Sequence, residues 1–313
     1  MFLVCMNIMG FNVYITTWPK SDFIITGTTN AITEGELDKA AQFFYSNAYS
    51  DNTKRTYTSH KNSYINFCTR FGYPAIPAST QTLCRYAAFL SKSLKFNSIK
   101  QCLNIVRILH AEWNLPNPLS NNFILNCTLQ GIRRHLGDAT IRKKPITPAM
   151  LHHILAHLDL AKSRDSTVWA AMLCMFYGLL RKSNVLTTRG VAFDPNKHLR
   201  CRDIIYHRWG ALLHIRWSKT IQFGSRTFEI PLPRLKGHPL CPVKALFNAA
   251  QHVITSDIDG PAFVYRHNGQ IRPLTSEQFI DRVKECLRLA GIDTSDIASH
   301  SFRRGGAILS VLK

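Results

Sequence analysis

Residues at three separate places in the chain have the types needed to hold a phosphate and move a proton at it. His300 and Arg303 sit three apart in Ser299-His300-Ser301-Phe302-Arg303-Arg304-Gly305-Gly306-Ala307. A helix starting there puts a proton carrier and a fixed cation on one face, and adds its own positive N-terminal end. Alone, a His-x-x-Arg pair is more often just a solvated helix start. Arg181 follows Gly178-Leu179-Leu180 at the end of a nearly all-apolar run. A guanidinium in that position is costly to bury unless a carboxylate pairs with it or an anionic ligand arrives. Lys219 falls between two stretches of strand-like alternation, Ala211 to Trp217 and Thr227 to Leu232, and so in or beside a hairpin.

The elements that must position these groups read as two domains. Residues 1–36 have no sustained period and are expected to be a leader and linker without fixed structure. Residues 37–136 repeat apolar side chains at three and four, giving five helices with short connections: one from Leu37, one after Ser50-Asp51-Asn52-Thr53 ending at Gly72, one from Ser79 or Thr80, one from about Ser98 to Trp113, and one from Asn121 to about His135. Residues 137–147 form a basic linker with Arg142, Lys143 and Lys144 between Gly137 and Pro148. The region 148–313 mixes helices, at Pro148, Ser166 to Leu180, Pro239 to Val253 and Thr275 to Gly291, with the two strands and a short extended piece at Phe263 to Tyr265. The fold class is therefore mainly α: an all-helical bundle, then a mixed α+β domain with a small antiparallel sheet.

Charge narrows the function more than length does. The chain has 313 residues and a formal net charge of +20, and residues 1–137 carry 13 Lys/Arg against 6 Asp/Glu while 138–313 carry 26 against 13. Both halves are positive, so the expected partner is a polyanion. No acid occurs between Asp51 and Glu112, a window that holds Lys54, Arg55, Lys92, Lys95 and Lys100. With Arg133, Arg134, Arg142, Lys143 and Lys144 these cations form the expected nucleic-acid face. A basic linker joining two basic domains is also what a clamp around a duplex needs.

Other classes are disfavoured. The nine cysteines are scattered with no Cys-x-x-Cys, which suits reduced core thiols in a cytoplasmic or nuclear protein rather than a zinc ribbon or a secreted disulfide scaffold. No run approaches the roughly 20 apolar residues of a membrane span, so no membrane partner is expected. His152, His153 and His157 lack an acidic neighbour and read as surface histidines.

Gly178-Leu179-Leu180-Arg181-Lys182-Ser183, Trp217-Ser218-Lys219-Thr220 and His300-Ser301-Phe302-Arg303, in that order behind a basic helical domain, resemble the tyrosine recombinases, the phage-integrase-like enzymes that cut and rejoin DNA. Thr53-Lys54-Arg55-Thr56-Tyr57 through Arg134 is similar to that family's SAM-like core-binding domain, so the resemblance spans roughly 38–313. It implies DNA recombination or integration, as of a mobile element, through a 3′-phosphotyrosine link. Arg181 and Arg303 would hold the non-bridging oxygens, Lys219 would protonate the leaving oxygen, and His300 would assist. It implies no metal, no cofactor and no small-molecule substrate, with duplex DNA bound by one chain or by a homo-oligomer. Three departures from the family pattern stand out: Asn184 where an acid usually supports the first arginine, Arg304 where a second His is common, and no Tyr after the second box before Lys313. The chain is accordingly expected to be truncated and inactive by itself. The alternative is a recruited DNA-binding module without catalysis.

Overall fold

The computed structural model describes residues 33–137, 143–218, 227–253 and 257–311, together with the backbone of Val4–Ile8 and Phe11–Ile15. The chain divides into two compact units, Met1–Ala139 and Thr140–Lys313. No helix among the described residues is long and apolar enough to cross a membrane.

In the first unit, β1 (Val4–Ile8) and β2 (Phe11–Ile15) pair antiparallel, with Asn7 opposite Asn12, inside the segment expected to lack fixed structure. That expectation rests on the missing helical period, whereas Val, Ile, Phe and Tyr in this segment favour strands. Five helices follow: α1 (Glu34–Ser46), α2 (Asp51–Phe71), α3 (Thr80–Ser91), α4 (Phe96–Glu112) and α5 (Phe123–Leu136). Their ends are set by local chemistry. Ser50, Ser79 and Asn122 accept the N–H of Thr53, Thr82 and Leu125 respectively, and Gly72 closes α2 in the left-handed region at φ 68°. α4 starts at Phe96, earlier than Ser98, because extended Lys95 already serves as its N-cap.

Tyr64, Phe67, Tyr86, Leu83, Ile99 and Val106 make the centre of this unit, with the rings of Tyr64 and Phe67 within 5.1 Å of Tyr86. Each such side chain, fully buried, contributes roughly 1.5–3 kcal/mol. His110, at the end of α4, is buried among them. Its Nδ1–H donates to the Val106 carbonyl at 2.8 Å and its Nε2 accepts the Ala78 N–H at 3.0 Å, tying the loop before α3 to α4.

The second unit is built on α7 (Ser163–Tyr177), which follows α6 (Pro148–Ala156) and is buried continuously from Asp165 to Phe176. A helix apolar all round must be wrapped on every side. α9 (Pro242–His252), α10 (Ser276–Leu289), α11 (His300–Val311) and a three-stranded sheet do so. That sheet is β3 (Ile204–Tyr206), β4 (Gly210–Ile215) and β5 (Phe228–Pro233), antiparallel in that order, with Ala211, Leu213 and Ile215 of β4 facing the core. β4 stops two residues short of Trp217, where Arg216 turns to pair with buried Asp203. The extended piece near Phe263 is a hairpin, β6 (Val264–His267) and β7 (Gln270–Pro273), turned by Asn268 and Gly269 at φ 49° and 77°. Asn-Gly is the strongest short hairpin signal, so this turn is encoded locally.

Buried charge is paired. Arg282 of α10 donates to both carboxylate oxygens of Asp165, at 3.0 and 2.7 Å, and to the His157 carbonyl. Arg200 and Arg216 converge on Asp203. Burial opposes ionisation of Asp165 and Asp203, but their arginine partners win and hold both carboxyls below the usual range.

Candidate functional site

α7 ends three residues before the expected Leu180. Gly178 follows it, and Leu179 takes φ 50°, a left-handed conformation that a leucine adopts only when its surroundings compel it. That turn redirects the chain, and Arg181 becomes the residue preceding the short helix α8 (Lys182–Val185). Asn184 in α8 is 4% exposed. Its Oδ1 accepts the Arg181 N–H at 3.3 Å, and its Nδ2 donates to the Trp217 carbonyl at 2.7 Å. The departure from the acidic residue of the resemblance therefore has a local cause. A carboxylate could accept from Arg181 but, ionised, could not donate to Trp217, whereas an amide does both. Asn184 thereby fastens the Arg181 turn to the end of the strand that leads to Lys219. Lys219 itself lies outside the described residues.

α11 begins at His300, which is exposed, and carries the half-buried Arg303 one turn later. Its placement depends on Gly305 and Gly306. A Cβ on Gly305 would lie 1.9 Å from the Ile146 carbonyl oxygen, and one on Gly306 would lie 1.9 Å from that of Phe176. The two glycines let α11 lie against the backbone at the end of α7, where the Leu179 turn starts. Arg303 thus lies near enough to Arg181 to feel its charge. Its guanidinium is held below the usual arginine range by burial and by the positive charge of Arg181. Neither guanidinium has a carboxylate or hydrogen-bond partner among the described residues, in contrast to Arg200, Arg216 and Arg282. Two half-buried planar cations of like charge, without a counter-charge among the described residues, form a site that an anion with several oxygens would relieve.

Arg304, the other departure, donates instead to the Lys143 carbonyl. Lys143 sends its ammonium to the Ser295 carbonyl at 2.9 Å and to Asp296 at 3.6 Å, while the Lys144 and Ile146 N–H groups bond to Asp296 and Ser301. These lysines, expected on a linker, are fixed to the loop and helix that bear His300 and Arg303. Arg142 lies outside the described residues.

In the first unit, Arg55, Lys92, Lys95, Lys100, Arg133 and Arg134 are exposed and Lys54 is half-buried. Lys100 and Arg133 both lie over the Phe96 ring, at 6.0 and 5.8 Å. Between α2 and α4 runs an open groove of about 400 Å³ lined by Asn52, Thr53, Thr56, His60, Gln101 and Asn104, with Tyr57 and Lys100. These are hydrogen-bonding side chains and a cation, of the kinds that read base edges. Arg107 donates to Asn104 Oδ1 at 2.9 Å, which leaves the Asn104 amide N–H₂ as its remaining donor. A count of charges does not find these amides, although Asn52, Gln101 and Asn104 recur at helical spacing on two adjacent helices. No group of three or more potential metal ligands occurs among the described residues.

No protein-family model matches the chain. Among curated proteins, an integrase/recombinase xerD homologue of Selenomonas ruminantium is 24% identical over 297 residues, covering 92% of this chain and 82% of that protein. Among solved structures, a lambda integrase (residues 75–356) dimer bound to a COC′ core site is 14% identical and covers 87% of each chain with a TM-score of 0.55. The site-specific recombinase XerH, bound to its difH substrate in a pre-cleavage complex, is 11% identical, covering 90% of this chain and 74% of that one with a TM-score of 0.52. The resemblance to tyrosine recombinases read from the sequence thus holds along most of the chain, and the fold is shared with integrases of known structure.

Proposed function

We propose that this chain binds duplex DNA and acts in DNA recombination or integration as a tyrosine-recombinase-like protein. The observation that carries this reading is the pair Arg181 and Arg303, two half-buried arginines brought together without a counter-charge among the described residues. The relatives with this fold are integrases and recombinases, several of them bound to DNA and some as dimers or tetramers. On this reading the chain likewise works as a homo-oligomer on DNA.

The division of roles follows from the chemistry. Arg181 and Arg303 hold the two non-bridging oxygens of one phosphate, and their charge neutralises what builds there as a nucleophile adds. His300, exposed at the start of α11, is within its own helical turn of Arg303 and exchanges protons at the same phosphate. Lys219, on the segment that follows Trp217, protonates the 5′ oxygen as the phosphodiester bond breaks. A tyrosine hydroxyl is required as nucleophile. Of the described tyrosines of the second unit, Tyr265 is 4% exposed with its hydroxyl accepting from Gln278 and Tyr177 packs against the core, whereas Tyr206 on β3 is 45% exposed. On this reading Arg181, Arg303, His300 and Lys219 bind and position the phosphate that the tyrosine attacks.

The test is a nicked duplex substrate that traps any covalent protein–DNA link, run beside equilibrium binding to an intact duplex. Salt-sensitive duplex binding is expected, and a covalent product would place the nucleophile within this chain. Salt-insensitive binding or a preference for single-stranded RNA sinks the reading as a whole. Replacing Lys54, Arg55 and Lys100 with Ala should lower the slope of log affinity against log salt by about 0.9 for each phosphate no longer neutralised, whereas Arg181→Ala and Arg303→Ala should change total affinity less.

A further inference from the structure

β3 and β4 are joined by a two-residue tip. His207 and Gly210 exchange backbone hydrogen bonds, His207 N–H to the Gly210 carbonyl at 2.9 Å and the reverse at 3.2 Å, leaving Arg208 and Trp209 at the turn. Tips of this length ordinarily select Asn, Asp or Gly, whose backbones suit them. Arginine and tryptophan give the turn nothing locally, and they are the residue types most enriched where a surface carries binding energy. The tip is also braced. Trp209 is 51% exposed, yet its ring stacks on His207 at 4.9 Å with only 9° between the planes. Arg234, just past β5, donates its N–H to the Trp209 carbonyl at 3.1 Å and its side chain to the His207 carbonyl at 3.2 Å. An exposed aromatic held this rigidly loses little further freedom when it binds.

The surroundings are positive. Residues 204–256 contain seven Lys/Arg and a single acid, Glu229. Arg208, Arg234 and Lys236 are exposed and form no ion pair among the described residues. We infer that the Arg208–Trp209 tip is a second, sequence-independent contact to the sugar-phosphate backbone of duplex DNA, remote from the Arg181 and Arg303 site; this rests on the DNA-binding reading above. Arg208 and Arg234 offer planar guanidiniums to phosphate oxygens, and the indole offers a flat apolar face to a deoxyribose. The tip stands at one end of β4, and Asn184 holds the Arg181 turn to Trp217 beyond the other end. At about 3.3 Å per residue the two lie roughly 20 Å apart or a little more. A duplex must therefore extend at least about six base pairs from the bound phosphate before it can touch the tip.

The experiment compares the unmodified chain with Arg208→Gln and Trp209→Phe on duplexes of about 10 and about 40 base pairs, measuring affinity against salt and tryptophan emission. Both substitutions are at the exposed tip, and unchanged thermal unfolding verifies that the fold is intact. On the long duplex, Arg208→Gln should lower the log–log salt slope by about 0.9 and weaken binding several-fold, with no change on the short one. Long duplex should alter the tryptophan emission of the unmodified chain, and Trp209→Phe should remove most of that change. Unaltered slope and affinity for Arg208→Gln on the long duplex overturn the inference. So does polyglutamate perturbing the Trp209 emission where duplex does not, which would assign the tip to an acidic protein. If the unmodified chain binds neither duplex, the DNA-binding reading fails and this inference with it.

Discussion

Replacing Arg303 with methionine should stabilise the unliganded protein while abolishing its response to phosphate. In the absence of an anion Arg303 faces Arg181 with its charge part-desolvated and unbalanced. Two like unit charges near each other in an effective dielectric of about 20 repel by on the order of 2 kcal/mol. Solvent reaches both groups, so screening reduces this to about 0.5–1.5 kcal/mol. Methionine keeps the aliphatic stem packed, and removing the charge should therefore raise the melting temperature by a few degrees, since about 1 kcal/mol corresponds to 2–4 °C in a domain of this size. The unmodified chain should gain from phosphate instead. If the pair binds inorganic phosphate with a dissociation constant of about 10 mM, then about 100 mM adds roughly 1.4 kcal/mol. Thermal unfolding of both proteins, in chloride and in phosphate at matched ionic strength, gives the four values needed. A destabilised Arg303→Met protein in chloride, together with no phosphate-specific gain in the unmodified chain, would refute the idea that these arginines form an uncompensated anion site.

Three further outcomes follow from particular contacts. Gly306→Ala forces a Cβ onto the Phe176 carbonyl and should cost about 1–3 kcal/mol or more, seen as a lowered denaturant midpoint together with loss of the phosphate-induced gain. Asn184→Leu leaves the Trp217 carbonyl without its donor and should cost about 1–3 kcal/mol, with faster hydrogen exchange concentrated in the residues flanking Trp217; uniform acceleration would mean that Asn184 has no directed role. The Arg282 guanidinium lowers the Asp165 carboxyl below its unfolded value of 3.8, so the stability it contributes is present above that value and is lost as pH falls through the lower folded one. Asp165→Asn should accordingly flatten the acid limb of a stability profile below about pH 4 and lower stability at neutral pH.

The sequence reveals the parts that follow from repetition and ordering. Helical periods, Ser and Asn caps and Gly72 locate the first unit to within a few residues, and Arg181, Arg303 and His300 stand out by their order along the chain. What it conceals depends on contacts between distant segments. No local pattern says that Asn184 spans from Arg181 to Trp217, and its mismatch with the resemblance reads as a weakness until its two hydrogen bonds are known. Gly305 and Gly306 lie in the same stretch as His300 and Arg303, yet their purpose needs Phe176 and Ile146, more than a hundred residues earlier. β3 is three residues long, with too few positions to show an alternation. The Asn268-Gly269 turn is legible, but the apolar residues preceding it suggest a lone extended piece rather than a hairpin.

The backbone before Pro148 bears on where this second unit starts. A boundary drawn at 148 from composition treats residues 143–146 as tether, yet they furnish the carbonyl over Gly305, the acceptor for Arg304 and the N–H that meets Ser301. The unit closes on itself like a clasp, its earliest described residues seated against its last helix. A fragment cut at 148 would keep His300, Arg303 and every other residue named in the anion site, and would discard the seat that aims them. Subcloning, limited proteolysis and domain exchange should therefore all leave the chain intact from Lys143 onward.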